Sequence, residues 1–549
     1  MSCKSIKKLC NDKITKSFCP NSVKDLFYST KKINFASEIF FVKNNYKNLY
    51  IMRKIFSLVV LVGLTICLSA QEAKYVFYFI GDGMGPNQVL GTEMYLAEKA
   101  GKIGYESLFF TKFPVAGMAR TYSKSNGVTD SAAAGTALSS GVKTNNSYVG
   151  VNDKKAPVSS IATELKKQGK GVAICTSVSI DHATPACFYA HQPNRKSYYK
   201  IGAELPESGF DFFAGAGFRT PLDKNNPSKP SLYSKAENAG YTIARGIVEF
   251  DSLKSTAKKM ILIQEKDGLK SKNYRSSESI PYEIDRTEDD LTLAQITRAA
   301  IEFTPKQNGF FMMIEGGMID WGCHSNDALA AFHEVIEMDE AIKLAYQFYQ
   351  AHPDSTLIVI TADHETGGLS LGRDGDYTLN LKAIDGQQKS GDAFAKMVKS
   401  FYRKSIKEPE EGRKKPAPYV WEDVKEDLGN YFGFYKTIEL TADEDAALQN
   451  CWFKLSEQEK KIVPTSFGEE YNIGVVATRI LDKRAQIAWT TGGHTAANVP
   501  VFAVGVGAEQ FRGWMDNSEI PMKILRLATP QPVVNRPEPK PENTVIIEQ

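Results

Sequence analysis

Cysteine is scarce in the part of the chain where it would carry structural meaning. Of eight cysteines only Cys175, Cys187, Cys323 and Cys451 lie after residue 70, too few for a disulfide framework, and we read them as unpaired. No Cys-x-x-Cys occurs, which argues against a thiolate zinc site. No Gly-x-Ser-x-Gly occurs, so a Ser-His-Asp hydrolase built on a nucleophile elbow has little support. No internal repeat is evident. Residues 1–51 contain neither Arg nor Gly and show no sustained helical or strand period. Their ten Lys stand against three acidic residues, a balance of +7.

A single run has the character of a targeting segment. Met52-Arg-Lys is followed by a short apolar stretch, small residues at Ser69-Ala70, and then Gln71-Glu72. That is the pattern of a secretory signal peptide over 52–70. It predicts an exported protein, periplasmic or extracellular, with translation starting at Met52 and residues 1–51 an over-extended N-terminus outside the fold. The alternative, a membrane anchor behind a cytoplasmic tail, meets an apolar run short of the about 20 residues of a full span. Nothing else in the sequence looks transmembrane. The whole chain carries +3; removing +7 for residues 1–51 and +2 for Arg53 and Lys54 leaves −6 for residues 71–549. The pI of 8.2 is therefore largely a property of the leader. A mildly acidic mature chain has no electrostatic case for nucleic acid or anionic membranes.

The chain's 549 residues, 42% hydrophobic and 24% charged, suit one large domain with insertions or two to three smaller ones. Apolar β-rich runs alternate with helical patterns, which predicts an α/β fold: a doubly wound, mainly parallel sheet flanked by helices on both faces. Strands are expected at 75–80, 171–176, 310–314, 356–361, 487–490 and 499–504, with helices near 88–99, 159–168 and 327–349. The catalytic domain would run over 71–529. Two stretches, about 219–290 and 373–485, interrupt the rhythm and read as irregular, the second as an insertion packed on the rim. Residues 530–549, with five prolines between Pro530 and Pro541, read as a disordered tail.

Five segments bunch Asp, Glu, His or Thr, most of them just after an apolar run. In a doubly wound sheet the strand C-termini face one crevice, and mixed carboxylates and imidazoles there suit divalent metals, zinc in particular. Gly81-Asp82-Gly83-Met84-Gly85 permits a turn with φ > 0 and points Asp82 into the crevice. Metal site, nucleotide site and plain turn all remain open for it, although Pro86 stands where a dinucleotide fingerprint needs Gly. In Val128-Thr-Asp-Ser131-Ala-Ala-Ala-Gly-Thr-Ala137, Asp130 or Ser131 opens a helix of small residues. Its free N–H groups favour an anion, or it is simply a capped core helix. In Glu315-Gly-Gly-Met-Ile-Asp320-Trp321-Gly-Cys-His324, the four-residue spacing lets Asp320 and His324 face one metal, with Glu315 at the strand end. Thr361-Ala-Asp363-His364-Glu-Thr-Gly-Gly368 and Gly492-Gly493-His494-Thr495 each read singly as a capped turn, and together with the others as metal ligands.

Together these segments resemble the alkaline phosphatase family over roughly residues 74–508, most specifically at 128–137. The resemblance implies that Ser131 is a nucleophile forming a phosphoserine and that Arg195, in His191-Gln-Pro-Asn-Arg195, forks onto two phosphate oxygens. It implies that Asp320, His324 and His494 hold one Zn2+, and that Asp82, Asp363 and His364 hold a second about 4 Å away. A third ion, normally Mg2+, would use Asp82, Glu315 and Thr184. His182, in Asp181-His182-Ala183-Thr184, stands where the enterobacterial enzyme has Asp and animal enzymes have His. It is read as a neighbour of the third site rather than a direct ligand, and it could favour Zn2+ or Co2+ there. Trp321 stands where those enzymes have Lys and His respectively, and Trp cannot lend charge to phosphate. The implied substrates are small phosphate monoesters and the implied assembly is a homodimer. A phosphodiesterase or another hydrolase of the superfamily is the enzymatic alternative. A non-catalytic exported phosphate- or metal-binding protein is the other, with no need of a nucleophile at Ser131.

Overall fold

In the computed structural model the described residues are 72–529, apart from 227, 265–277, 376, 408–415 and 460–471. The expected N-terminal extension, signal peptide and Pro-rich tail all lie outside them. Among the described residues fourteen strands are formed: β1 (Tyr75–Gly81), β2 (Val115–Arg120), β3 (Gly171–Thr176), β4 (Phe212–Gly215), β5 (Tyr241–Arg245), β6 (Lys259–Ile263), β7 (Phe310–Gly316), β8 (Thr356–Thr361), β9 (Glu365–Thr366), β10 (Leu369–Leu371), β11 (Ile487–Trp489), β12 (His494–Thr495), β13 (Val499–Gly505) and β14 (Gly513–Asp516).

Ten of them form one sheet in the order β14-β2-β13-β8-β1-β7-β3-β4-β6-β5. The first described strand, β1, lies at the centre between β7 and β8, with β3-β4-β6-β5 beyond β7 and β13-β2-β14 beyond β8. All neighbours pair in parallel except β13, which runs against both β8 and β2. The run of β1, Tyr-Val-Phe-Tyr-Phe-Ile-Gly, is almost wholly buried because both its edges and both its faces are covered. Alternate residues show the two layers. Phe77 and Phe310 pack on Phe348 of the Ala328–Ala351 helix, with ring centroids 5.5 and 5.2 Å apart. Tyr78 and Phe311 meet Phe188 on the opposite face at 6.4 and 6.1 Å.

The described parts of the two stretches expected to be irregular hold regular elements. Residues 219–290 include β5 and β6, which extend the sheet to its edge, and the helices Leu232–Asn238 and Gly246–Leu253. Residues 373–485 form the helices Gly391–Ile406, Trp421–Phe432, Ala442–Glu459 and Ile473–Arg484. These share an apolar cluster that includes Phe394, Leu428, Leu448 and Leu481 and closes over Tyr95 and Phe332 of the main layers. High charge hid this core because each helix buries only one stripe and turns the rest to water. The expected strand at 487–490 is β11, but it pairs with β10 in a separate ribbon and not in the main sheet. The four cysteines after residue 70 are all free and buried. Among the described residues no helix is long and apolar enough to cross a membrane.

Candidate metal and phosphate site

Register places the site. In the central strands Ile80 lies opposite Glu315 and Thr361, and Glu315 lies opposite Thr176. Parallel pairing therefore brings the C-terminal ends of β1, β3, β7 and β8 level. Asp82 and Asp363, each two residues past its strand's level position, and Glu315 converge at one edge. The antiparallel direction of β13 brings its N-terminal approach to that same edge. There β12 pairs with β9, setting His494 opposite Thr366.

Three groups of side chains present ligand atoms within 4.8 Å of one another: Asp320, His364 and His494; Asp82, Asp363 and His364; and Asp82, His182 and Glu315. His324 joins the first, with Nε2 3.2 Å from Asp320 Oδ2 and 3.2 Å from His494 Nε2. Backbone carbonyls set both rings. His324 Nδ1 lies 2.6 Å from Gly492 O and His494 Nδ1 2.8 Å from Thr129 O, so each Nδ1–H donates outward and leaves Nε2 facing the cluster. The His364 and His494 rings stack with centroids 3.6 Å apart. His364 Nε2 lies 3.1 Å from Asp363 Oδ2 and 3.4 Å from Asp82 Oδ1.

The charges oppose one another strongly. Burial, with Asp363, Asp320 and Glu315 around it, pushes the Asp82 carboxyl well above its ordinary range. Burial lifts Glu315 to about 7 against the hydroxyls of Thr176 and Thr184. Burial would raise Asp320 and Asp363 too, but the imidazoles of His324 and His364 respectively outweigh it and hold both low. His494 falls to about 4 through burial and the neighbouring His364. Both Asp82 oxygens, Asp363 Oδ2, Glu315 Oε1 and Thr184 Oγ1 are buried without a hydrogen bond of normal geometry. Buried acceptors are ordinarily satisfied. Five orphaned oxygens at one spot, beside imidazoles whose Nε2 atoms face the cluster, are the donor set of divalent cations, and the residues present fit them.

Ser131 is buried at this edge, with Oγ 3.2 Å from His364 Nε2. It is the first residue of the Ser131–Ser140 helix, capped by Asp130, whose Oδ1 accepts from Ala133 N at 3.0 Å. Asp130 does a second task, because its Oδ2 accepts from Arg195 Nη1 at 3.0 Å. Burial would lower Arg195, but Asp130 more than offsets it, with a contribution from Tyr198. Arg195 Nη2 donates to His182 Nε2 at 3.2 Å. Burial and Arg195 press His182 down to about 3, so it is neutral and that nitrogen is an acceptor. Trp321 packs edge-on to His182, 6.3 Å between centroids, among Val178, Met318 and Tyr282.

Every residue singled out in the sequence thus reaches one edge of the sheet. Several that matter carried no signal. Thr366 Oγ1 donates to Asp320 Oδ1 at 2.5 Å and lies 3.2 Å from His364 Nδ1. Glu365 accepts from Gln88 Nε2 at 2.7 Å and from Thr495, tying the Pro86–Lys99 helix to the His494 strand. Asp130 is legible as a cap, but nothing local says that it holds Arg195.

The model of the family described as alkaline phosphatase matches residues 73–239 and 275–529. Alkaline phosphatase 3 of Bacillus subtilis (strain 168) is 30% identical over 465 residues, covering 83% of this chain and 89% of that protein. The cold-active alkaline phosphatase of Shewanella sp. superposes with a TM-score of 0.67 at 29% identity, covering 83% of this chain and all of that one (100%). A histidine-to-aspartate mutant of the alkaline phosphatase from the Antarctic bacterium TAB5, with Mg bound in its M3 site, superposes with a TM-score of 0.56 at 26% identity, covering 84% and 99%. A carboxylate–imidazole cluster at the strand ends, a buried serine opening a small-residue helix, and a match over most of the described chain agree: the chain belongs to the alkaline phosphatase family.

Proposed function

We propose that this phosphatase hydrolyses small phosphate monoesters through a phosphoserine on Ser131. The observation that carries the reading is the placement of Ser131 Oγ, 3.2 Å from His364 Nε2 and at the start of a helix whose free N–H groups favour a phosphate. Asp320, His324 and His494 would hold one Zn2+, Asp82, Asp363 and His364 a second, and Asp82, Glu315 and Thr184 an Mg2+. These ions, when bound, supply an acidified hydroxyl and water and neutralise charge on the entering and leaving oxygens.

The protein's own groups do the positioning. Ser131 Oγ attacks phosphorus as the ester P–O bond breaks, and the alcohol leaves with a proton. Water then attacks the phosphoserine, the P–Oγ bond breaks, and phosphate departs while Ser131 recovers its proton. Asp130 pins one arm of Arg195 and His182 the other, presenting a planar fork to two phosphate oxygens. His182 Nε2 is engaged by Arg195, so we read its part as aiming that fork, although its Nδ1 is buried without a hydrogen bond and the side chain also lies within reach of Asp82 and Glu315. Phosphoryl transfer needs mostly charge neutralisation and alignment, which this arrangement provides. Export with a mature start near Gln71, and a homodimeric state, complete the reading.

The test is hydrolysis of monoesters and diesters at alkaline pH by the purified protein, with Ser131→Ala alongside and metals counted by mass spectrometry. The expected result is faster monoester turnover, with Ser131→Ala losing about a thousandfold or more while keeping its metals. Faster diester turnover, or a variant that remains active, overturns the reading. N-terminal sequencing and the mass in solution check the last two points.

A further inference from the structure

Arg195 lies in sequence between Gln192 and Lys196, and both of these line an open groove of about 1050 Å3. The Tyr198–Glu204 helix supplies one wall and the loop after β4 supplies Arg219 and Lys224. One turn ties groove to site: His182 meets Arg195, while its neighbour Asp181 accepts from the backbone of Arg219 at 2.8 Å and of Thr220 at 3.4 Å.

The charges in this groove do not cancel. Its acids are already engaged: Glu204 by His191 N at 2.8 Å, Asp223 by Lys229 at 2.7 Å, and Glu278 by Arg219 at 3.1 Å. Lys196, Lys200 and Lys224 are exposed, and among the described residues none has a carboxylate within ion-pair distance. This positive excess sits in a chain whose residues 71–549 sum to −6. The aromatic surface is taken. Arg219 lies over the Tyr198 ring at 4.9 Å and Lys229 over the Tyr199 ring at 5.7 Å, so neither ring offers that face to a flat aromatic group.

From this placement we infer that the groove is a second anion subsite, which selects phosphate monoesters whose leaving group carries another phosphate. With the scissile phosphate on Arg195, a short leaving group running past Lys196 sets its second phosphate among Lys196, Lys200 and Lys224. Such recognition by exposed lysines is long-ranged and weakened by salt. The inference rests on the monoesterase reading above, and one experiment separates the two. The metal-loaded enzyme is assayed on 1,3-propanediol monophosphate and on 1,3-propanediol bisphosphate, beside the Lys196→Ala/Lys200→Ala double variant.

The bisphosphate should show kcat/KM about tenfold higher at low ionic strength, with the advantage shrinking as salt rises. In the double variant it should fall to about the twofold that two equivalent phosphates give statistically, with monophosphate turnover unchanged as the control for folding. Monophosphate turnover with no more than that statistical preference in the parent overturns the subsite alone. So does a preference that survives in the double variant. Absence of turnover on either ester overturns the monoesterase reading and the subsite with it.

Discussion

At the scale of single residues, the site works by making one group do two things. Asp130 caps the helix that presents Ser131 and also fixes Arg195, so the proposed nucleophile and the proposed phosphate fork are set by the same carboxylate. Arg195→Lys should therefore cost more than a charge-conserving change suggests. One ammonium cannot hold Asp130 and His182 while also donating to two phosphate oxygens. Steady-state kinetics should show kcat/KM reduced by about tenfold or more, with competitive inhibition by inorganic phosphate weakened in parallel. Gly83 is the second such position. Its φ is +73°, and a Cβ there would lie 2.8 Å from the Asp320 backbone. The sequence permits a positive φ at this turn, and the backbone that it brings close is that of Asp320, a proposed zinc ligand. Gly83→Ala should displace Asp320 and lower zinc content, read by metal analysis of the folded protein, alongside the usual cost of a non-glycine residue at positive φ, on the order of 1 kcal/mol.

At the scale of elements, the strands and the helix N-termini follow from local pattern, while the titration of helix residues depends on what packs over them. Glu334 lies in the middle of an expected helix and is buried there, where its carboxylate accepts from Glu283 N at 2.7 Å. Burial raises it to about 7, with Arg286 pulling the other way. A carboxyl whose folded value is raised stabilises the fold when protonated. That contribution is full below the ordinary value near 4.5 and is lost as pH climbs to about 7. Glu334→Gln stays neutral and keeps the acceptor. Its melting temperature should exceed the parent's above pH 7, converge on it in mild acid, and flatten the pH profile by up to roughly 3 kcal/mol. Identical profiles for the two proteins would refute this. The same dependence on neighbours explains why the 373–485 helices escaped a reading by pattern. Phe394 and Leu428 are core residues only because other helices of the same stretch cover them.

At the scale of the whole molecule, the fold gathers like charge at one edge, and the proposed divalent cations would offset it. Asp82, Asp363 and Glu315 are buried together with oxygens that make no hydrogen bond, an arrangement costly in water-free surroundings unless cations neutralise it. Chelation by EDTA should abolish phosphatase activity and lower the melting temperature by at least about a few degrees, and zinc should restore both. Differential scanning fluorimetry with activity on the same samples checks this; a melting temperature indifferent to EDTA would mean that the cluster is stable without ions.

Local sequence alone determined which chemistry is available. A serine at the head of a small-residue helix, Asp363-His364 after an apolar run, and Asp320 four residues before His324 keep their character wherever the chain goes, because capping, helical spacing and strand termination are short-range. The central parallel strands were equally legible, since a strand covered on every side must be apolar throughout. Only the tertiary structure decided that residues as distant as Asp82 and His494 share one site. That convergence comes from strand register, from the reversed direction of β13, and from the carbonyls of Thr129 and Gly492, which turn two imidazoles inward. Register and direction are fixed by burial summed over ten strands, and a backbone carbonyl is the same in every residue, so neither leaves a mark in the local sequence.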